Sequence, residues 1–297
     1  MSTHPRDESD AAAAAPAAKR SRLESVDEFY ETAVAVAREA GATIRAAFDK
    51  NKSVMLKSAS TDLVTETDQK VEAFIINSFK DKFPSHKFIG EESVAAGIQC
   101  ELTDDPTWII DPLDGTTNFV HRFPFVAVSI ALVIDKAPVI GIVYNCILDE
   151  MYTAVRGRGA FKNGVQITTS QQTAVNTALI GTEFGSNRKD EVLATILENM
   201  RSLAGEPNAA HSIRCLGSAA LNLCAVASGA MDAYFEFGIH VWDIAAGILI
   251  LQEANGVVRN PDGTELDIMA RRILGACTPQ LADEITSRIK NIVTPRD

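Results

Sequence analysis

The chain has 297 residues, 46% apolar and 23% charged, with a net charge of −11 at pH 7. That length accommodates one large domain or two small ones, and the composition is ordinary for a globular protein with a full core. The acidic balance argues against a sequence-independent grip on nucleic acid, no stretch is apolar for long enough to span a bilayer, and no signal-peptide pattern opens the chain. Five cysteines, an odd number with no Cys-x-x-Cys pair, read as reduced core residues of a cytoplasmic protein.

Residues 1–24 stand apart. They hold Ala11–Ala15, Pro16 and the basic cluster Lys19, Arg20 and Arg22, a composition that buries too little surface to order itself. A disordered N-terminal tail is expected, either simply solvated or used for nuclear import or phosphorylation. The folded domain is expected over 25–297. Ser25-Val26-Asp27-Glu28 has the form of a capping box, and Val26, Phe29, Ala33, Val36, Ala37, Ala40, Ile44 and Phe48 keep helical spacing behind it. A second helix is expected from about Asp68 to Phe83, with Val71, Phe74, Ile75 and Phe79 on one face and Pro84 as its stop. Strands are expected at Lys87–Ile89, Thr107–Ile110, Phe125–Ile134, Val139–Cys146 and Met151–Val155, and their short connections suggest an antiparallel sheet. Asn163-Gly164 is a tight-turn dipeptide. Helices first and strands after make the lobe of about 25–165 α+β.

From about 166 to 297 the pattern alternates. A strand at Ala178–Thr182 precedes helices at Lys189–Leu203 and Ser218–Ala227. A strand at Met231–Phe237 leads to a helix at Trp242–Ala254 closed by Asn255-Gly256. A strand at Val257–Arg259, a turn at Asn260–Gly263 and a helix at Pro279–Ile289 complete an α/β lobe. No Pro/Gly-rich linker stands near 165–178, so the lobes are expected to pack as one unit.

Residues 108–119, Trp-Ile-Ile-Asp-Pro-Leu-Asp-Gly-Thr-Thr-Asn-Phe, carry the densest chemistry. An apolar run delivers Asp111 and then Asp114, and two carboxylates at a strand end suit a hard divalent cation, which takes oxygen ligands. Gly115, Thr116 and Thr117 add backbone N–H groups and hydroxyls where an anion can sit. Cation and phosphate sites side by side are the requirement of metal-assisted phosphate hydrolysis. Turns are also rich in Asp, so the pair alone is not diagnostic. Its two-residue gap separates it from the Asp-x-Asp-Gly-Thr motif of haloacid-dehalogenase phosphatases, because on a strand that difference moves the second acid to another face.

Gly90-Glu91-Glu92-Ser93 follows the strand 87–89. Its acids are either a solvated loop or, if that strand lies beside Thr107–Ile110, a position from which Glu91 joins Asp111 around one ion. Asp243, in Trp242-Asp243-Ile244-Ala245-Ala246-Gly247, precedes an apolar helix, as its N-cap or as an outward-pointing ligand. Asp68 closes Asp62-Leu63-Val64-Thr65-Glu66-Thr67-Asp68. It either favours the first turn of the second helix through its dipole or backs a threonine hydroxyl that orients a water. The five histidines show no metal-ligand spacing, and P-loop and nucleophile-elbow motifs are missing.

With these motifs together, the chain resembles the inositol monophosphatase family of lithium-sensitive, Mg²⁺-dependent phosphatases, from roughly Ser25 to the C-terminus and close to its animal members. The resemblance implies a layered αβαβα sandwich and a homodimer. It implies two to three Mg²⁺ ions: one held by Glu91, Asp111 and the Leu113 carbonyl, one by Asp111, Asp114 and Asp243, and a weaker, mostly hydrated one near Glu91. It assigns catalytic roles to Glu91 and to Thr116 with Asp68 behind it, which would orient the attacking water. It places phosphate against the N–H groups of Gly115 and Thr116, and inositol against Gly217, Ser218, Ala219 and Glu236, with Glu91, Leu113, Asp114 and Asp243 also facing the substrate. Val241 stands where the family often has Cys, and Leu113 where Ile is common; neither supplies a side-chain ligand.

The implied activity is hydrolysis of inositol monophosphates by direct displacement with water, without a phospho-enzyme, inhibited by Li⁺. Related enzymes acting on other sugar phosphates, fructose 1,6-bisphosphate or 3′-phosphoadenosine 5′-phosphate share the metal triad, but the longer match, including Glu236, favours inositol monophosphate. A non-catalytic scaffold is disfavoured because every ligand carboxylate and Thr116 are present.

Overall fold

The computed structural model describes residues 17–52, 54–56 and 63–297. Helix α1 (Ala17–Phe48) is followed by a small hairpin of β1 (Val54–Leu56) and β2 (Leu63–Thr65), then helix α2 (Glu66–Lys82). A seven-stranded sheet takes its strands in chain order: β3 (Lys87–Gly90), β4 (Thr107–Asp114), β5 (Ala127–Ile134), β6 (Ala137–Asn145), β7 (Glu150–Val155), β8 (Ala160–Lys162) and β9 (Val165–Ile167). Short helices α3 (Glu91–Ala95) and α4 (Thr116–His121) follow β3 and β4. The second half contributes β10 (Leu179–Thr182), α5 (Asp190–Ala204), β11 (Ser212–Arg214), α6 (Ala219–Ala227), β12 (Ala233–Phe237), α7 (Val241–Glu253), β13 (Val257–Arg259), β14 (Arg272–Ala276) and α8 (Pro279–Arg288). Its five strands lie in the order β11-β10-β12-β14-β13.

Strand alternation sorts the side chains into layers. Trp108, Ile110, Val128, Ile130, Ile140 and Ile142 face α1 and α2, where Phe79 stacks on Trp108 with ring centroids 4.1 Å apart. Ile109, Ala131 and Val143 face the opposite way, against α6 and α7. Those helices also cover one face of the five-stranded sheet through Tyr234 and Ile273. The other face of that sheet, with Ile180, Phe235 and Leu274, packs on Leu203 of α5 and on Leu281 and Ile285 of α8. The result is the expected αβαβα sandwich. Helices α6 and α7 are apolar nearly all round, as a middle layer requires.

Several expectations need correction. Helix α1 runs from Ala17, so Ser25 does not begin it. Ala17, Ala18, Lys19, Arg20 and Leu23 are strong helix formers and carry the helix back past that boundary. Of the expected tail, residues 1–16 lie outside the described residues, as does Asp62. The first sheet is antiparallel except for β3 and β4, which pair in parallel through the crossover containing α3. The second sheet is mixed, with β12–β14 and β13–β14 antiparallel. Asn163 and Gly164, with φ of 50° and 79°, form the expected tight turn between β8 and β9. All five cysteines are free thiols, but Cys215 is exposed and Cys100 half-buried rather than in the core. Among the described residues no helix is long and apolar enough to cross a membrane.

Candidate active site

The parallel register of β3 and β4 sets Gly90 beside Ile110. Glu91 follows β3 as the first residue of α3 and Asp111 is the next residue along β4, so the two acids stand close together where the pairing of the two strands ends. Asp111 shares the side of β4 occupied by Ile109, facing α7, and is paired with Ser129, whose hydroxyl donates to the Trp242 carbonyl at 3.3 Å. Regular alternation would turn Asp114 to the opposite face. The β4–β5 register shifts between Asp111 and Asp114, and this irregularity brings Asp114 to the start of α6. There it accepts from Ser218 Oγ at 2.6 Å and from Ala220 N–H at 2.8 Å.

Gly115 then turns the chain with φ 89°, a left-handed conformation in which a Cβ would lie 2.9 Å from the Phe125 carbonyl oxygen. The turn presents Thr116, whose hydroxyl lies 3.1 Å from Asp68 Oδ1 and 3.1 Å from the Leu113 carbonyl. It has one proton to donate. Given to Asp68, that proton leaves the oxygen's lone pairs free to accept from a water. Asp68 is fully buried, and its other oxygen accepts from the N–H and hydroxyl of Thr65, the N-cap of α2. Burial pushes the Asp68 carboxyl upward, and the Thr65 and Thr116 bonds oppose that shift.

Asp243 is not the N-cap of α7. His240 holds that position, and Asp243 is three residues further on, accepting the His240 N–H at 2.7 Å. Asp68 bears the same relation to Thr65, so both acids close a capping box from inside the helix. The donors reach a single oxygen of Asp243, and likewise of Asp111, whose Oδ1 accepts the Leu113 N–H at 2.9 Å.

The electrostatics are dominated by mutual repulsion. Burial pushes the Asp111 carboxyl well above the usual range, and Glu91, Asp114 and Asp243 raise it further. Burial raises Asp243 as well, with Asp114 and Glu91 adding to it against the His240 N–H. Asp114 is pushed up to about 6 by burial, opposed by Ser218, Ala220 and Ala219. Among the described residues, no three Asp, Glu, His or Cys side chains form a closed ion-holding group. Glu91, Asp111, Asp114 and Asp243 are therefore an electrostatic neighbourhood spread over two strand ends and a helix start. Its donor chemistry is oxygen only, including the Leu113 carbonyl, and its excess negative charge calls for a cation; both fit a hard divalent ion.

On the side of the five-stranded sheet, Ser218 is the N-cap of α6 and leads into Ala219, with Gly217 exposed before it. Glu236 on β12 is buried and accepts the Tyr234 hydroxyl. Burial and the nearby Glu183 push its carboxyl well up.

The model of the Inositol monophosphatase family matches residues 25–294. The chain belongs to that family. It is 50% identical to human inositol monophosphatase 1 over 270 residues, which are 91% of this chain and 97% of that one. An inositol monophosphatase structure from Anabaena superimposes with a TM-score of 0.77 at 31% identity, covering 89% of this chain and 96% of that one. SaIMPase-II of Staphylococcus aureus with inositol monophosphate bound gives 0.71 at 30% identity, covering 88% and 92%. This family member is a phosphoric monoester hydrolase.

Three supporting residues of this phosphatase escaped the sequence reading. Glu72 lies four residues after Asp68 on the buried face of α2, and its two oxygens accept the N–H groups of Glu92 and Ser93 at 2.7 and 2.8 Å. One helix face thus backs Thr116 and also fixes the start of α3, where Glu91 sits. Two acids on a buried helical stripe are a readable signal, since such groups are rarely buried without partners. Asn118 and Glu183 both grip the segment before Ser218. Their partners in that segment lie 98 and 33 residues away in sequence, so although Asn118 stands within the 108–119 motif, nothing local marks the grip itself.

Proposed function

We propose that this phosphatase hydrolyses inositol monophosphates with two to three Mg²⁺ ions at Glu91, Asp111, the Leu113 carbonyl, Asp114 and Asp243. The observation that carries the reading is the parallel β3–β4 register, which sets Glu91 and Asp111 together beside the Asp68–Thr116 pair. Bound divalent ions supply an acidified water and neutralise charge on the leaving oxygen. Thr116 would accept a hydrogen bond from the attacking water while donating its own to Asp68, which fixes the water's orientation. The N–H groups of Gly115 and Thr116 hold phosphate oxygens. Ser218 and the Ala220 N–H hold Asp114 in place. Gly217, Ser218, Ala219 and Glu236 face the inositol ring in this reading; the substrate class is supported by a relative, SaIMPase-II, whose structure has inositol monophosphate bound. In this reading residues 25–297 are the catalytic domain, with lobes of about 25–165 and 166–297 and residues 1–24 outside it; the protein is a cytoplasmic homodimer inhibited by Li⁺.

Phosphate release from myo-inositol 1-phosphate is the test. Turnover is expected with Mg²⁺, lost in EDTA, restored by added Mg²⁺ and depressed by Li⁺, with fructose 1,6-bisphosphate and 3′-phosphoadenosine 5′-phosphate cleaved more slowly. Faster cleavage of either rival substrate would overturn the assignment. Sedimentation velocity tests the homodimer.

A further inference from the structure

Residues 216 and 217 are held from both sides by two side chains. The N–H groups of Leu216 and Gly217 both donate to one oxygen of Glu183, each at 2.7 Å, and Asn222 Nδ2 reaches the same oxygen at 3.0 Å. On the other side Asn118 Nδ2 donates to the carbonyls of Leu216 and Gly217 at 2.7 and 3.3 Å, and to that of Phe125 at 2.8 Å. Both N–H groups and the Leu216 carbonyl of this two-residue segment are therefore engaged by short bonds, and the Gly217 carbonyl shares an Asn118 proton at 3.3 Å. Yet Gly217 is exposed and Leu216 only half-buried, so water alone would satisfy them. Gly217 has φ 79°, and a Cβ on it would stand 2.9 Å from Asn118 Nδ2, so the segment's shape and the Asn118 grip are matched.

The two arms come from different layers. Glu183 follows β10 of the five-stranded sheet, whereas Asn118 lies on α4, directly behind the Gly115–Thr116 turn. The adjoining Ser218 is tied to Asp114. Segment 216–218 is thereby held at a fixed position relative to the turn assigned to phosphate.

We propose that Asn118 and Glu183 are positioning residues that set selectivity for a polyol phosphate, by holding segment 216–218 where the ring hydroxyls meet it once the phosphate is seated. This rests on the reading of Gly217, Ser218, Ala219 and Glu236 as the ring-contact face. A substrate with a polyol ring benefits from the pre-ordered segment. A phosphate monoester without ring hydroxyls gains nothing from it, so loosening the clamp acts on one substrate class and not on the other.

The test is steady-state kinetics of the full-length, Mg²⁺-supplied enzyme on myo-inositol 1-phosphate and on 4-nitrophenyl phosphate, with the Mg²⁺ half-saturation and thermal midpoint of each variant. Asn118→Asp replaces the donor with an acceptor facing three carbonyls, and Glu183→Ala removes the acceptor. Each is expected to raise KM for inositol 1-phosphate about tenfold, while kcat and KM on 4-nitrophenyl phosphate and the Mg²⁺ requirement change less than about twofold. Glu183→Gln keeps an acceptor oxygen and is expected to retain most of the selectivity. Equal losses on both substrates, or unchanged KM for inositol 1-phosphate, would refute the positioning role. If Asn118→Asp does not fold, the Glu183→Ala and Glu183→Gln pair decides. A wild-type enzyme without preference between the substrates refutes the ring-contact reading, and the proposal with it; a preference that survives the variants refutes the positioning role alone.

Discussion

The two sides of the site treat their carboxylates in opposite ways. On the seven-stranded sheet, Asp111 is almost completely buried, takes one N–H from Leu113, and is surrounded by Glu91, Asp114 and Asp243. On the five-stranded sheet, one oxygen of Glu183 takes three N–H donors, and Glu236 takes the Tyr234 hydroxyl. Burial raises the carboxyls on both sides; three donors oppose it at Glu183, against the single Leu113 N–H at Asp111. Where the protein leaves acids under-compensated, an external cation is needed to finish the site. Where it supplies the donors itself, the acid becomes a strut.

The largest expected break in this comparison is Asp111→Asn. Phosphate release from inositol 1-phosphate should fall by about 10³-fold or more, since metal-dependent charge stabilisation contributes several kcal/mol. The thermal midpoint measured in EDTA should stay level or rise, because a buried repulsive charge is gone. A loss of midpoint together with activity would make Asp111 a structural acid like Glu183. Next is Gly115→Ala. A non-glycine residue at φ 89° with its Cβ 2.9 Å from the Phe125 oxygen should cost about 1–3 kcal/mol in denaturant titration and lower turnover about a hundredfold by displacing Thr116.

A smaller effect is expected at Glu72→Ala, which frees the Glu92 and Ser93 N–H groups and loosens the start of α3. The Mg²⁺ concentration for half-maximal activity should rise about tenfold, with part of the lost turnover recovered at high Mg²⁺. An unchanged Mg²⁺ requirement would detach Glu72 from Glu91.

The smallest effect is a pH dependence. The folded carboxyl of Asp114 is raised from 3.8 to about 6. A raised group contributes stability that is fully present below its unfolded value and lost as pH rises through its folded one. In EDTA the thermal midpoint should therefore lose about 2–4 °C between pH 4 and pH 7 through this residue. Asp114→Asn should reduce that slope, the rest coming from Asp111, Asp243 and Glu236, whose carboxyls burial also raises; an unaltered slope would place the titration elsewhere.

What could be read from the sequence divides along the same line. The metal side lies in short contiguous motifs, because strand ends and helix starts bring Glu91, Asp111, Asp114 and Asp243 to bear within a few residues of their apolar supports. The parallel contact of β3 and β4 was open only as a condition, since pairing direction depends on a crossover and not on strand composition. For Asp243 the sequence leaves N-cap and ligand both open, because Asp commonly caps a helix; His240 is the residue with the extended backbone, φ −113° and ψ 167°. Glu183 and Asn118 were silent because their bonds join distant segments. Strands β11 and β14 were missed for related reasons: Ser212–Arg214 is three residues of mixed character, and Arg272–Ala276 carries a glycine and an arginine where β-branched residues normally signal a strand.

The middle layer has a consequence for the order in which the chain is made. The seven-stranded sheet is complete at Ile167, while its inner cover, α6 and α7, begins only at Ala219. Until those helices leave the ribosome, Ile109, Ala131, Val143 and Tyr152 lack the apolar residues of α6 and α7 that cover that face. That sheet face is thus without its helical cover during synthesis, and transiently exposed apolar surface of this kind favours aggregation. The same late-arriving helix, α7, carries Asp243, so the acid cluster gains its last member only when the sheet is closed.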